Sequence, residues 1–263
     1  MRSNHKRERQ TKERQGMKKL NNQGLEMCIS KYNSATDIYV NFENGFEVHT
    51  TYQHFKDGNI TNYFEPTVCG IGIIGNEIIT ANGKKTREYN SWHAMLCRCT
   101  REDYKQEKPT YQDSTCVDEW CYLSNFTQWI HNQENWNVLK DTNNWGVDKD
   151  ILVKGNKLYS PETCCLVPMN VNSLFTKHDN ARGEYPIGVY YNKANNNFAS
   201  RCQNPYGKRI CHYGFKTPED AFEQYKKDKE MIIKRVAQDE FSKGTITKQC
   251  YDAMMKYEVE ITD

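Results

Sequence analysis

Two acids and an asparagine in residues 145–172 are of the types that bind divalent cations. Asp148 and Asp150 flank Lys149, and Asn172 closes the segment. Carboxylate and amide oxygens are hard ligands that suit Mg²⁺ or Mn²⁺, and a cation bound in this way can hold a phosphate and activate water. These residue types favour metal-assisted chemistry on a phosphate ester, with Asp148 and Asn172 as ligands of one cation. The alternative is an irregular polar connector.

Two short strands and a helix must position these residues. Apolar residues alternate with the acids over residues 147–153, which predicts a strand with both carboxylates on one face. A Gly-Asn pair then predicts a turn, and residues 164–167 predict a return strand. Pro168 fits the first turn of a helix that carries Asn172. The segment is therefore expected to form a ββα unit in which Asp148 and Asn172 converge.

This layout resembles the ββα-metal motif of HNH nucleases, which phage and intron-encoded endonucleases carry. The resemblance implies that Asp148 and Asn172 bind the cation and that Thr163 lies near the family's loop-bracing asparagine. It also places Lys149 where the family has its general-base histidine. A lysine is normally charged at neutral pH and cannot accept a proton from water. Lys149 is therefore expected to stabilise phosphate charge, while Asp150 or a metal-bound hydroxide activates water.

The chain before this motif is expected to support the site. Helical periodicity over residues 89–131 predicts two helices with aromatic faces. The stretches SWHAMLCRC and CVDEWCYLSNFTQWI resemble the helical leader of many phage HNH proteins, and they are expected to pack rather than react. Beyond the motif, His178 could also approach the site. The predicted nuclease core with its leader spans residues 85–180.

Residues 184–237 predict three short strands followed by a helix that Thr217 caps. The stretches GVYYN, NFASRCQ, HYGF and TPEDAFEQYK resemble the APETALA-type, ethylene-response-factor-like DNA-binding domain, whose sheet lies in the major groove. The resemblance implies double-stranded DNA as the partner. The residues that it places against the DNA are Tyr190, Asn192, Arg201, Gln203 and His212.

The residue types in this predicted sheet support the same expectation. Arg201 and Gln203 share one strand face by their spacing, and these side-chain types make bidentate contacts to guanine and adenine. Lys193, Lys208 and Arg209 lie in predicted turns, where phosphates would bind. The alternative is a sheet face that contacts only solvent.

The composition favours several small modules of the α+β class. In 263 residues the hydrophobic fraction is 37% and the aromatic fraction is 12%, so thin cores built on aromatic side chains are expected. Residues 1–22 form a predicted basic flexible arm, residues 23–80 a β-rich module and residues 238–263 a helical tail. The formal net charge of +2 means that any nucleic-acid surface outside the arm must be a local patch.

The cysteine pattern and the lack of long apolar runs indicate in which cellular compartment the protein is expected. The 11 cysteines are an odd number scattered along the chain, which is typical of free thiols in a reducing environment. Cys97, Cys99, Cys116 and Cys121 could bind zinc, but their spacing is not a usual structural zinc pattern. No apolar run is long enough to span a bilayer, so a soluble, cytoplasmic protein is expected. The resemblance implies a bacteriophage protein in a bacterial host cell.

Three functions remain open on these grounds. The first is a metal-dependent, HNH-family DNA endonuclease of the homing type. The second is a catalytically impaired DNA-binding or regulatory protein on the same scaffold, which Lys149 favours because it replaces the histidine base. The third is a structural or protein-binding role, suggested by a near-neutral body rich in aromatic side chains.

Overall fold

Helices alternate with several small sheets along the chain, which confirms the expected α+β class. The computed structural model describes residue 9, residues 11–176 and residues 184–261. His178 lies outside the described residues, as does most of the first half of the predicted basic arm. Within the described part of the chain, no helix combines the length and the apolar composition needed to cross a membrane.

The N-terminal module is an antiparallel sheet closed by a short helix. Its strands, in spatial order, are β1 (Lys18–Leu20), β2 (Glu26–Ser34), β3 (Asp37–Phe42) and β4 (Glu47–Thr50), and its helix is α1 (Tyr52–Asp57). Alternate apolar residues of β2 and β3 are buried together against Phe55 of α1. Because Lys18 pairs with Cys28, this part of the predicted flexible arm is instead an edge strand of the sheet.

The second core is built on tryptophans. Its elements are β5 (Thr80–Ala81), β6 (Lys84–Lys85), α2 (Arg87–Thr100), α3 (Glu102–Glu107), β7 (Thr115–Cys116), α4 (Leu123–His131) and α5 (Trp136–Leu139). Trp92 and Trp120 are fully buried, and the Trp92 Nε1–H donates a hydrogen bond to the Trp120 carbonyl at 2.7 Å. This bond satisfies the polar atom of a ring that is otherwise packed in apolar surroundings.

The stretch VCGIGIIG before this core forms turns and isolated bridges, not the strand that its apolar residues predict. Cys69 and Gly70 both have positive φ angles, 50° and 79°. A strand cannot contain two successive residues in this region of backbone space, so the chain reverses at Cys69.

The segment with the two acids forms a compact ββα unit. Its elements are β8 (Trp145–Asp148), β9 (Leu158–Tyr159), β10 (Cys165–Pro168) and α6 (Met169–Phe175). Strands β8 and β10 pair in antiparallel fashion with Asp148 opposite Cys165, while β9 pairs with β7 in parallel. The predicted return strand is therefore confirmed, and the predicted helix begins at Met169, directly after Pro168, which is its N-cap residue and not part of its first turn.

The C-terminal part is a three-stranded antiparallel sheet packed on a long helix. Its elements are β11 (Val189–Asn192), β12 (Asn197–Cys202), β13 (Ile210–Phe215), α7 (Pro218–Ser242) and α8 (Lys248–Met255). The Thr217 hydroxyl accepts a hydrogen bond from the Asp220 N–H at 3.1 Å, which confirms the predicted helix cap.

One hydrophobic core joins this C-terminal part to the ββα unit. Val167 of β10 and Val171 of α6 are fully buried in the same cluster as Ile233 of α7 and Cys250 of α8. The boundary predicted between residues 180 and 184 is therefore crossed by shared packing, and α7 continues past the predicted end at residue 237.

Candidate active site

Asp148 is the last residue of β8, and the chain turns immediately after it. The Asp148 Oδ1 accepts hydrogen bonds from the backbone N–H of Asp150, at 2.7 Å, and of Ile151, at 2.9 Å. An aspartate that bonds to its own following backbone stabilises a turn in place of a strand. The expectation of one strand over residues 147–153, with both carboxylates on one face, is therefore wrong.

Burial makes Asp148 a costly anion in the folded protein. The residue is only 9% exposed. This burial raises the pKa of Asp148 to about 6, and the Asp150 charge raises it as well, while the two backbone N–H bonds and Lys149 lower it. At neutral pH the side chain is therefore mostly an ionised carboxylate in a site poor in water, which a bound cation would stabilise.

The Lys149 ammonium is directed away from solvent. Its Nζ donates to both carboxylate oxygens of Asp150, each at 2.8 Å, and to the Asn156 carbonyl at 2.6 Å. The Lys149 side chain is 6% exposed and that of Asp150 is 41% exposed. Lys149 therefore stands next to Asp148 as a fixed positive charge engaged with three acceptors, and Asp150 is its counter-ion.

Asn156 stabilises the loop between β8 and β9 through its side-chain hydrogen bonds, and it was not predicted as a site residue. Its Nδ2 donates to the Lys149 carbonyl at 2.9 Å and to the Leu158 carbonyl at 2.7 Å, and its Oδ1 accepts from the Leu158 N–H at 3.1 Å. Thr163 bonds at the end of this loop instead, with its hydroxyl donating to the same Leu158 carbonyl. The available signal was the Gly-Asn pair, since turn asparagines commonly bond to nearby backbone.

Asn172 lies close to β8 because Gly146 has no side chain. A Cβ at Gly146 would lie 3.1 Å from the Met169 Sδ and 3.7 Å from the Asn172 Nδ2. The first turns of α6 can therefore approach the strand that ends in Asp148. Asn172 is half-buried, and it lines the same cleft as Asp148.

This cleft has a volume of about 1100 Å³ and is lined by charged and aromatic side chains. The basic residues along it are Arg87, Arg98, Lys108, Lys149, Lys154 and Lys157. The acids are Glu107, Asp148, Asp150 and Glu260, and the tyrosines are Tyr104, Tyr111, Tyr159 and Tyr257. Cations beside aromatic rings form a surface suited to a nucleic-acid strand, with charge for phosphates and rings for bases.

Arg98 is half-buried in the wall of the cleft. Its guanidinium lies 5.2 Å from the centre of the Tyr111 ring, and its Nη1 donates to the Tyr159 hydroxyl at 3.3 Å. Its Nε is buried without a hydrogen-bond partner, and within the described part of the chain no carboxylate lies at ion-pair distance from it. Such an uncompensated charge on a cleft wall favours a bound anion.

Arg87 and Arg98 were not predicted as site residues. Both lie on α2, eleven positions apart, which brings them to the same side of the helix. Arg87 also donates to the Trp145 carbonyl of β8 through its Nε at 3.0 Å. The signal in the sequence was the polar face of α2, whose opposite face carries the buried Trp92 and Leu96.

In the C-terminal sheet, Arg201 is exposed on the face that points away from α7. Its guanidinium lies 4.5 Å from the centre of the Tyr190 ring, so the ring holds the side chain along the sheet surface. The structure therefore brings together two of the residues predicted to contact DNA. Lys193, Lys208 and Arg209 are exposed in the turns at the ends of the strands, as expected.

Other residues predicted to contact DNA bond to partners other than Arg201. His212 pairs with Ser200 across the strands and lies on the face towards α7, where its Nε2 is 3.1 Å from the Asp228 Oδ2 without hydrogen-bond alignment. Gln203 directly follows the end of β12, so it lies just outside the strand that carries Arg201. The Gln203 Oε1 accepts from the Arg209 Nε at 3.1 Å, and the Asn192 Oδ1 accepts from the Ala194 N–H in the turn after β11.

Comparison with known proteins adds no assignment. No protein-family model, curated protein or solved structure matches the chain. Its function must be inferred from the geometry and chemistry of its own residues.

Proposed function

We propose that the protein is a DNA endonuclease that hydrolyses phosphodiester bonds with one divalent cation, Mg²⁺ or Mn²⁺. The observation that carries this proposal is the ββα unit, in which Asp148 ends β8, Asn172 lies on α6 and both side chains line one cleft. The layout is the one expected from the resemblance to HNH nucleases. The surrounding cations and tyrosines give the cleft a surface that fits a nucleic acid.

The residues present suit a hard cation. Asp148 offers a buried carboxylate and Asn172 an amide oxygen, and these are the donors that Mg²⁺ prefers, with water completing its shell. When bound, the cation would polarise the scissile phosphate and activate a water molecule. Lys149 and Arg98 would place positive charge beside the phosphate, where negative charge develops in the transition state.

The C-terminal sheet would supply the contact with double-stranded DNA. Arg201, held over Tyr190, is a candidate for reading bases, and Lys193, Lys208 and Arg209 are candidates for phosphate contacts at the turns. The cleft and the sheet are linked through the core that Val171 shares with α7. A DNA-binding surface and a hydrolytic site would therefore be held on one packed body.

A second candidate is a DNA-binding protein that has kept this scaffold without cleavage. It is favoured by the surroundings of Lys149, whose ammonium is engaged with Asp150 and Asn156 and occupies the position of the expected base. Within the part of the chain that the structure describes, no histidine lines the cleft. Cleavage would then depend wholly on water activated by the cation.

Plasmid cleavage distinguishes the two candidates. Native protein should nick or cut DNA with Mg²⁺ or Mn²⁺ and not with a chelator, and Asp148→Ala and Asn172→Ala should bind DNA without cutting it. Asn170→Ala is a matched control, because Asn170 lies on the same helix, bonds to Glu240 and does not line the cleft. Metal-independent binding without cleavage by the native protein would support the second candidate. A gain of cleavage in Lys149→His would show that only the base was lacking.

A further inference from the structure

Three side chains that could bind a soft metal ion lie together where the turn at residues 68–72 meets α2. Cys69 lies in the turn before β5, and His93 and Cys97 lie one turn apart on α2. One ligand atom from each of the three residues lies within 4.8 Å of the others. Cys97 is buried, whereas Cys69 and His93 are half-buried.

We propose that Cys69, His93 and Cys97 bind a Zn²⁺ ion, independently of the candidate active site. Thiolate and imidazole are the ligands that zinc prefers, whereas Mg²⁺ and Mn²⁺ prefer oxygen. The proposed ion is therefore a second metal of a different chemical class. Its three protein ligands leave the fourth tetrahedral position to a water molecule.

The distances fit a tetrahedral zinc ion after a small adjustment. Zn–S bonds of about 2.3 Å and Zn–N bonds of about 2.1 Å place sulfur and nitrogen about 3.6 Å apart and two sulfurs about 3.8 Å apart. The Cys97 Sγ lies 3.7 Å from the His93 Nδ1 and 3.8 Å from its Nε2. The Cys69 and Cys97 sulfurs are 3.0 Å apart and must separate by about 0.8 Å to reach the zinc geometry.

The backbone at Cys69 is shaped to present its side chain to α2. Cys69 is one of few residues other than glycine with a positive φ, 50°, and Gly70 follows with 79°. The Gly72 N–H closes the turn on the Val68 carbonyl at 2.7 Å. A residue with a Cβ rarely adopts this conformation unless its surroundings impose it, and such positions cluster at ligand-binding sites.

The imidazole of His93 is not used to satisfy a structural hydrogen bond. Apart from the Cys97 sulfur, neither of its nitrogens has a hydrogen-bond partner among the residues that the structure describes. Its ring stacks on Tyr89, with ring centres 6.0 Å apart, which fixes its plane. A nitrogen lone pair is therefore available at the cluster.

The charges around the cluster also suit a divalent cation with two thiolates, which together are neutral. Arg101 lies one turn after Cys97, its backbone N–H donates to the Cys97 carbonyl at 3.1 Å, and its guanidinium is paired with Asp103. Its positive charge acts on the thiols of both Cys69 and Cys97, and a positive charge beside a thiolate ligand stabilises that ligand from outside the metal shell. The ion would fasten the turn at residues 68–72 to α2, the helix that carries Arg87 and Arg98 to the cleft wall.

Metal analysis of the full chain, purified under reducing conditions, tests the site. The native protein should contain a single equivalent of zinc. After the metal is stripped, it should bind Co²⁺ with the visible ligand-field and sulfur charge-transfer absorption of a tetrahedral site. Cys69→Ser, His93→Asn and Cys97→Ser should each lose this absorption and the bound zinc. Cys28→Ser is the matched control, because Cys28 is half-buried in β2 of the N-terminal sheet and is not one of the proposed ligands.

His93→Asn keeps the test decisive if a cysteine variant fails to fold, because the His93 side chain is half-buried whereas that of Cys97 is buried. Its circular dichroism spectrum should match that of the metal-stripped native protein. The proposal is overturned if native protein binds no zinc, if His93→Asn retains zinc and the Co²⁺ spectrum, or if Cys69 and Cys97 form a disulfide under the reducing conditions. Zinc that is lost only on substitution of Cys99, Cys116 or Cys121 would overturn it as well.

Discussion

Replacing Asp148 by asparagine should stabilise the metal-free protein at neutral pH, while it removes the charge of the carboxylate proposed to bind the cation. Asparagine has nearly the same shape, and its Oδ1 can still accept from the backbone N–H of Asp150 and Ile151. What the substitution removes is the ionisation of a group that is only 9% exposed. A buried ionised residue that lowers the free energy of unfolding is expected where a bound ligand compensates for that loss.

The size of the effect follows from the raised pKa of Asp148. An aspartate in an unfolded chain has a pKa of about 3.9. In the folded protein burial raises the pKa of Asp148 to about 6. The difference of about two units corresponds to roughly 3 kcal/mol of unfolding free energy. Asp148→Asn should therefore gain up to about 3 kcal/mol relative to native protein at pH 7, a net value in which the hydrogen bonds to the carboxylate are already included.

The pH dependence has a definite sign. Because the folded protein holds the Asp148 proton more tightly than the unfolded chain, this group favours folding below pH about 4. Its contribution is lost as the pH rises through about 6, and above that pH the full cost of the buried charge is present. The asparagine variant has no such group, so its advantage should appear between pH about 4 and about 7.

Urea unfolding at several pH values in this range, with a chelator present, measures the difference in unfolding free energy between variant and native protein. Other carboxylates titrate in both proteins and cancel in the difference. Asp141→Asn is the control, since it removes a carboxylate that is exposed and outside the cleft.

Two results would refute the reasoning. One is a difference between Asp148→Asn and native protein that stays constant from pH about 4 to about 7. The other is an asparagine variant that becomes less stable than native protein as the pH rises, which would mean that Lys149 and the backbone donors more than offset burial. Addition of Mg²⁺ at pH 7 should stabilise native protein more than the variant, because a neutral amide binds the cation more weakly than a carboxylate.

Three further substitutions test the loop and the sheet. Asn156→Ala removes the hydrogen bonds that brace the loop after β8 and should lower the unfolding free energy by about 1–3 kcal/mol in urea titrations. An unchanged unfolding free energy would show that these bonds do not stabilise the protein. Arg201→Ala should weaken binding to a preferred DNA sequence by about 1–3 kcal/mol and reduce sequence preference, as measured by fluorescence anisotropy. Equal loss on all sequences would contradict base reading by Arg201. Lys208→Ala should weaken binding to every sequence alike and reduce the salt dependence of binding by about one ion, and an unchanged salt slope would exclude a phosphate contact there.

Much of the local layout could be read from short-range chemistry. α6 begins directly after Pro168, which is its N-cap residue with an extended ψ of 150°, and Thr217 starts α7 because its hydroxyl caps the first turn. The same rules failed where two local preferences competed. Residues 147–153 alternate like a strand, but Asp148 bonds to the following backbone and ends the strand there.

The sequence by itself determined the α+β class, the ββα layout of the candidate site and the presence of Lys149 at the position of the expected base. Only the tertiary structure decided what surrounds these residues. It brought Arg87 and Arg98 of α2 to the cleft, bound Lys149 to Asp150 and Asn156, and turned His212 towards α7. Turns, caps and strand starts depend on neighbours a few positions away. Burial and the walls of a cleft depend on contacts between residues far apart in sequence, which no local pattern records.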